Sequence, residues 1–455
     1  MVNVRANSKP LMGEFSRIRH AGLILVLVSS FALALMFTAY GGETGRSDHT
    51  VGLTADEILA FYETRLERDP ADFISYNGLA RAFVRRARQT GDVSDYDRAE
   101  AALRRSLAIL PEAHNLQAIT QLADVMNARH QFSEAAVLSR RVIEQDRNSA
   151  LGYAILGDAL LALGRYEEAG LNYRSVAEIE PGLGSNSRLA RLSELDGNLI
   201  DAEDYWWDAH RNTFRASAEN SAWVHVQLGH LYFNQGDLKR ADEQFNQALS
   251  ESQDYTHALA GLGKVQAAQA EYSGSVEYYQ RAIDQIPLPE YVIALGDVFT
   301  AWHRPEEARQ QYALVEAIEK LYKSSGIETD LQMARFAADH GNPLEAVARA
   351  RKAYDARPDI YASDALAWAL YQANQFEEAQ IHSLDALRLG TRDSLMFFHS
   401  GMILKSIGDL AGAEEMLTFT VDLNPGFSPL YSDLARTTLV DIRNSSTESA
   451  KGISR

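Results

Sequence analysis

Acid–base and metal chemistry need carboxylates and imidazoles held close together. The candidates in this chain are the paired acids Glu167-Glu168, Glu306-Glu307, Glu377-Glu378 and Glu414-Glu415, and twelve histidines. Two adjacent carboxylates could serve as general acid and base, but each pair here opens a stretch of helical patterning. Negative charge there complements the positive end of the helix dipole, so a structural reading suffices. His225 and His230 are five residues apart, which turns them to different helix faces, and no His-Glu-x-x-His zinc motif occurs. His130 and His303 stand at turn positions held elsewhere by Gly or Asn, where positive φ is tolerated. Gly261-Leu262-Gly263 has no strand before it and no third glycine in register. GxSxG, P-loop and EF-hand sequences are missing too. Cysteine does not occur, which excludes disulfides, thiolate metal sites and thiol nucleophiles. These observations predict no enzyme activity, no cofactor and no metal.

The elements that position these residues follow from a repeated pair of small side chains. The pairs are Ala80/Ala99, Ala123/Ala135, Gly157/Ala169, Ala190/Ala202, Gly229/Ala241, Gly263/Ser275, Gly296/Ala308, Ala334/Ala346, Ala367/Ala379 and Gly401/Ala413, nine of the ten at a separation of twelve. Numbered in this order as repeats one to ten, they advance by 33 to 43 residues. Three residues after the first small position comes a large side chain such as Leu160, Tyr232 or Phe299. Four after the second comes Leu103, Tyr173, Trp206, Phe245, Tyr279, Tyr312 or Leu417. Those are helical neighbour spacings. Turn residues such as Gly164, Gly197, Gly236, Asn374 and Gly408 separate the two halves. Each unit therefore reads as helix, turn, helix, crossing closely at the small pair. A fixed period of this length means a solenoid.

The pattern resembles the tetratricopeptide repeat family over roughly residues 73–426. Leu156-Gly157, Leu228-Gly229, Leu262-Gly263 and Leu295-Gly296 match its Leu-Gly step. Tyr76, Tyr153 and Phe397 fall where it favours an aromatic, and Pro111, Pro181, Pro287, Pro358 and Pro425 close second helices. The resemblance implies an all-α, right-handed α-solenoid of about ten helix-turn-helix repeats spanning 54–440 with capping helices, followed by a disordered tail at 441–455. Thr54-Ala55-Asp56-Glu57 reads as a capping box opening that array. The longer advances around Trp206–Ser221 and Tyr322–Glu328 read as longer second helices or connecting loops.

The family architecture also implies that first helices line a concave groove. The positions facing it include Trp223, His230, Phe233 and Asn234 in repeat five, Lys264 in repeat six, and Tyr361, Asp364, Trp368 and Tyr371 in repeat nine. Aromatics interleaved with polar groups suit a bound peptide. The competing reading packs Phe233 and Trp368 between adjacent repeats. The family's clamp for chain-terminal carboxylates needs paired Lys and Asn on neighbouring first helices, and Lys264 stands alone.

Ahead of the array, residues 1–20 carry Arg5, Lys9, Arg17 and Arg19 against Glu14, and Ala21–Tyr40 holds no charge over twenty residues. This reads as an N-in, C-out single-pass anchor or a signal, uncleaved or removed, with residues 41–53 as linker and the repeats outside the cytoplasm. From residue 43 onward, 40 basic side chains face 61 acidic ones, a net charge of −21. Such a surface repels phosphate backbones, so a protein or peptide partner is expected rather than nucleic acid. Two functions fit: a tethered interaction scaffold, or an accessory subunit of an envelope complex for polysaccharide export, cytochrome maturation or secretion. Oligomeric state is not readable.

Overall fold

Thr54 starts the first helix by a reciprocal cap. Its hydroxyl accepts the Glu57 amide at 3.3 Å while its own amide donates to the Glu57 carboxylate at 2.7 Å. The computed structural model describes residues 53–90, 92, 94–215, 218–324 and 329–453. Among them are twenty-two α-helices and no strand. After the capping helix α1 (Ala55–Arg68), repeats one to five comprise α2 (Phe73–Thr90) and α3 (Ser94–Ile109), α4 (Leu116–Ala128) and α5 (Phe132–Gln145), α6 (Ala150–Ala162) and α7 (Tyr166–Ile179), α8 (Leu183–Leu195) and α9 (Leu199–Arg211), α10 (Ala218–Asn234) and α11 (Leu238–Glu251). Repeats six to ten comprise α12 (Thr256–Ala268) and α13 (Tyr272–Gln285), α14 (Pro289–Ala301) and α15 (Pro305–Ser324), α16 (Asp330–His340) and α17 (Pro343–Ala356), α18 (Ile360–Gln372) and α19 (Phe376–Ala386), α20 (Ser394–Ser406) and α21 (Leu410–Leu423). α22 (Ser432–Ile453) closes the solenoid.

The small pairs lie at the crossings. Ala123, Ala135, Ala169, Ala190, Ala202, Ala367 and Ala379 have no exposed surface. Where the first member is glycine, the large residue sixteen further on fills its place. A Cβ on Gly157 would sit 2.5 Å from the Tyr173 ring, and one on Gly296 would sit 2.3 Å from Tyr312. The two ladders seen in sequence are thus one device, a bulky side chain seated on a small one across the hairpin. His130 (φ 61°), His303 (φ 58°) and Asn374 (φ 58°) occupy the left-handed turn position, alongside Gly164, Gly197, Gly236 and Gly408. Pro111, Pro181, Pro287, Pro358 and Pro425 each follow two residues after a second helix ends.

Several expectations need correction. Three of the glutamate pairs sit in a first helical turn, but α21 starts at Leu410, which puts Glu414-Glu415 in the second turn. Glu414 instead receives the Arg443 guanidinium at 2.9 Å. The extra length after Trp206 does not lengthen α9. It forms a 3-10 turn at Asn212–Arg215 and extends α10 to 17 residues. At the second long advance the expected longer second helix is found, α15 growing to 20 residues, and 325–328 lie outside the described residues. α22 continues to Ile453, past the boundary at 440. No helix among the described residues is long and apolar enough to cross a membrane. That overturns the single-pass N-in, C-out placement. The segments on which it rested, 1–20, 21–40 and most of the 41–53 linker, lie outside the described residues.

The coil also returns on itself. Tyr166, at the start of α7, accepts the Ile360 amide on its hydroxyl at 2.9 Å across 194 residues of sequence. The Thr391 hydroxyl donates to the Leu195 carbonyl, and the Asn424 side-chain amide donates to the Phe233 carbonyl at 2.7 Å. Ile360 and Met396 join the apolar core of repeats one to three. The turns of repeats three to five therefore dock on the loops leading into α18, α20 and α22. Glycine is required at this seam. Gly197 (φ 70°) would place a Cβ 2.2 Å from the Gly390 carbonyl oxygen, and Gly236 (φ 75°) would place one 2.6 Å from that of Leu423.

Candidate inner-wall site

The seam brings the first helices of repeats four to six beside the start of repeats nine and ten. One residue after their small positions, α8, α10 and α12 carry Arg191, His230 and Lys264. Three successive first helices thus place basic groups at one register position. The Arg191 guanidinium is engaged twice. It donates to the Tyr361 hydroxyl at 2.7 Å across the seam and pairs with Glu194 at 2.8 Å. Lys264 and His230 are not engaged in this way. The Lys264 ammonium lies 4.2 Å from the centre of the Phe233 ring, and His230 sits edge-on to Phe245 at 5.2 Å.

Electrostatics matches this geometry. Burial lowers the Lys264 ammonium below its ordinary value, with Asp393, at the start of α20, pulling the other way. His230 is pushed down to about 3 by burial and then by the nearby Lys264, His257 and Arg191. Burial holds His257 at about 4. The imidazoles are therefore neutral at physiological pH, beside a lysine that makes no hydrogen bond or ion pair among the described residues.

A second cluster forms where repeats eight to ten meet α22. Trp368 stacks on Tyr371 at 4.7 Å and on His399 at 4.2 Å, with interplanar angles of 9° and 14°. Its indole N–H donates to Asp339 at 2.7 Å, and the Tyr431 hydroxyl donates to the same carboxylate oxygen at 2.5 Å. His399 bonds Asp364 at 2.9 Å. Burial would raise the Asp364 carboxyl, but His399 and Arg335 outweigh it and leave the group below its usual range.

The sequence-predicted residues divide accordingly. Trp223 is 1% exposed and packs edge-on against Trp206 at 5.5 Å, in the core of repeats four and five. Phe233, Asp364 and Trp368 are also buried, at 2 to 3%. His230, Lys264 and Tyr371 are half-buried, and Asn234 is exposed. Burial leaves Trp223 and Phe233 little surface for a partner, which follows from the inter-repeat packing that competed with the groove reading. Arg191, Glu194 and Asp393 were not singled out in the sequence. Arg191 shares the register of His230 and Lys264, a signal that was available. The part played by Asp393 was not, because it depends on the seam.

The outer face is stitched by ion pairs between successive second helices. Arg104 meets Glu134 at 3.3 Å, and Arg351 meets Glu378 at 2.7 Å. Among the described residues no group of three or more His, Asp or Glu side chains is arranged to hold a metal ion.

Ten helix hairpins stacked in sequence define an α-solenoid. Tetratricopeptide repeat families match at residues 226–288 and 150–182. The chain carries tetratricopeptide repeats over those residues. No curated protein matches it. Among solved structures it is similar to PilW, described as a widely conserved type IV pilus biogenesis factor, at 14% identity over 44% of this chain and 92% of that one, with a TM-score of 0.39. Yeast Tom70 is similar at 12% identity over 86% and 93%, with a TM-score of 0.38. A human IFIT1 dimer with PPP-AAAA is similar at 14% over 81% and 94%, with a TM-score of 0.43.

Proposed function

We propose that the protein is an interaction scaffold without chemistry of its own, whose right-handed coil receives a segment of a partner protein along its inner wall. The observation that carries this reading is the contrast between the two faces. Outside, charged side chains of neighbouring repeats are paired with one another. Inside, Lys264 and His230 make no hydrogen bond or ion pair among the described residues, and Tyr371 and Asn234 are open to contact. A partner segment would supply what those groups lack, and aromatic rings give it area at little entropic cost. A net charge of −18 disfavours a nucleic-acid backbone as the ligand.

The test is site-specific photocrosslinking of the full chain in its native cells. A photoreactive residue replaces Tyr371 or Asn234 on the inner wall, or Glu243 on the outer face. The same protein species captured from both inner positions and not from Glu243 supports the proposal. Capture from Glu243 with none from the inner positions contradicts it. Trp368 is unsuited as a probe, because its burial would turn any replacement into a stability defect.

A further inference from the structure

We infer that residues 424–431 form an internal strap that lies on the inner wall of repeats eight to ten and excludes the partner segment until it is displaced. The inference rests on the inner-wall reading above and adds a control to it. Eight residues separate α21 from α22, whereas three separate α7 from α8, α13 from α14 and α17 from α18. The extra length carries the chain across the coil. At its start the strap is held on repeats five and six. The Asn424 side-chain amide donates to the Phe233 carbonyl at 2.7 Å, and a Cβ on Gly426 would lie 2.8 Å from the Ala268 carbonyl oxygen. At its end Tyr431 meets three successive first helices. Its hydroxyl donates to Asp339 of α16 at 2.5 Å, and its ring lies edge-on to Trp368 of α18 at 5.6 Å and stacks on Phe398 of α20 at 4.9 Å. Phe427 sets a second ring against Phe398 at 5.6 Å. A side chain that touches three first helices lies on the wall they form, not between two of them.

The attachment leaves the strap removable. Pro425 and Pro429 have no amide to donate. The Gly426, Leu430 and Ser428 amides donate to the side chains of Asn424, Ser428 and Ser432, within the strap or at the first residue of α22. The Phe427 amide reaches the Asn424 carbonyl at 3.3 Å. Among the described residues, the backbone of 425–431 makes no hydrogen bond to the inner wall, so lifting it strands no backbone group there. Phe427 and Tyr431, both half-buried, hold it by their side chains. Asp339 accepts from the Trp368 indole and the Tyr431 hydroxyl together. Burial and then Asp339 raise that hydroxyl above its ordinary value, so it stays a donor. Displacement leaves the carboxylate one donor short. The segment that replaces the strap is therefore one that brings an aromatic ring with an O–H or N–H donor.

The experiment uses the full chain and a fluorescent, end-blocked peptide with the sequence of residues 424–431, followed by anisotropy. The wild type should not bind it, because its own strap holds the site. The chain with Phe427→Ala and Tyr431→Ala should bind it. The same peptide carrying Tyr431→Phe should bind that variant roughly tenfold more weakly, the scale of one hydrogen bond to a charged group. Tyr431→Phe in the chain keeps both rings and should admit the peptide at intermediate strength, which preserves the test if the double variant does not fold. Equal binding by wild type and variants, binding by none of them, or equal binding of a scrambled peptide overturns the inference. Crosslinking separates the strap from the reading beneath it. A photoreactive residue at Tyr371 should capture its partner in several-fold higher yield from the Tyr431→Phe chain than from wild type. Unchanged or lower yield removes the strap and leaves the inner-wall reading. No capture from Tyr371 or Asn234 in either chain removes the reading itself.

Discussion

Two turn glycines separate the cost of backbone strain from the cost of disturbing the seam. Gly197 and Gly408 both follow a first helix with positive φ, 70° and 88°. A Cβ at Gly408 would meet nothing within 4 Å, whereas one at Gly197 would lie 2.2 Å from the Gly390 carbonyl oxygen. Gly408→Ala should therefore cost only the left-handed backbone penalty, about 1–2 kcal/mol. Gly197→Ala adds a backbone clash that no rotamer change can relieve. Overpacking of this kind typically costs about 1–3 kcal/mol more, for a total of roughly 2–5 kcal/mol. Urea unfolding followed by circular dichroism reads the difference. X-ray scattering reads whether the coil opens, since part of the strain is relieved by separating the two turns. Gly197→Ala should lose clearly more stability than Gly408→Ala and show a larger radius of gyration. Equal losses with an unchanged radius in both would refute the reasoning.

Three further outcomes are expected. Arg188 and Asp158 form a buried bidentate pair at 2.9 and 2.7 Å, also bonded by Tyr173 at 3.0 Å. Arg188→Leu should cost about 3–5 kcal/mol by stranding the carboxylate, and adding Asp158→Leu should recover most of it in the same urea assay. Ala379 is fully buried at its crossing, so Ala379→Leu should cost about 1–3 kcal/mol, and a wild-type melting curve would count against the crossing. Burial pushes the Glu290 carboxyl up to about 7, above the 4.5 of an ordinary glutamate. The folded state then holds a proton the unfolded chain has released, so this stability is full below about 4.5 and is lost as pH rises through 7. Glu290→Gln should raise the melting temperature at pH 8 and not at pH 4. An equal gain at both values would show that the carboxyl is not buried as described.

Local order was legible in the sequence because each repeat obeys short-range rules. The small pair, the bulky residue seated on it, the turn residue with positive φ and the closing proline all lie within one unit. Even His130 and His303 could be placed as turn residues on that basis. Facing direction was harder. Trp223 and Phe233 occupy groove positions by register, yet the longer α10 and the packing of repeat five on repeat four bury them. Trp368 was placed on the right helix without its stacking partner His399 from the next repeat. The seam was not legible. It joins residues nearly two hundred apart, and the turn glycines Gly164, Gly197 and Gly236 approach the backbone carbonyls of Pro358, Gly390 and Leu423, which leave no side-chain pattern. Gly197 and Gly236 looked like ordinary helix stops, and their second role in close backbone approach appears only in three dimensions.

The inner-wall site depends on the coil closing on itself, and that closure can be measured directly. The chain has no cysteine, so Asp196→Cys and Arg392→Cys, exposed on opposite sides of the seam, can each carry a spin label with no background. Pulsed electron paramagnetic resonance on the full chain should give a single narrow distribution at short distance, collapsing to a broad one in urea. A broad or long distribution under native conditions would show that repeats four to six and nine to ten do not share a wall, and the site built on that contact would fall.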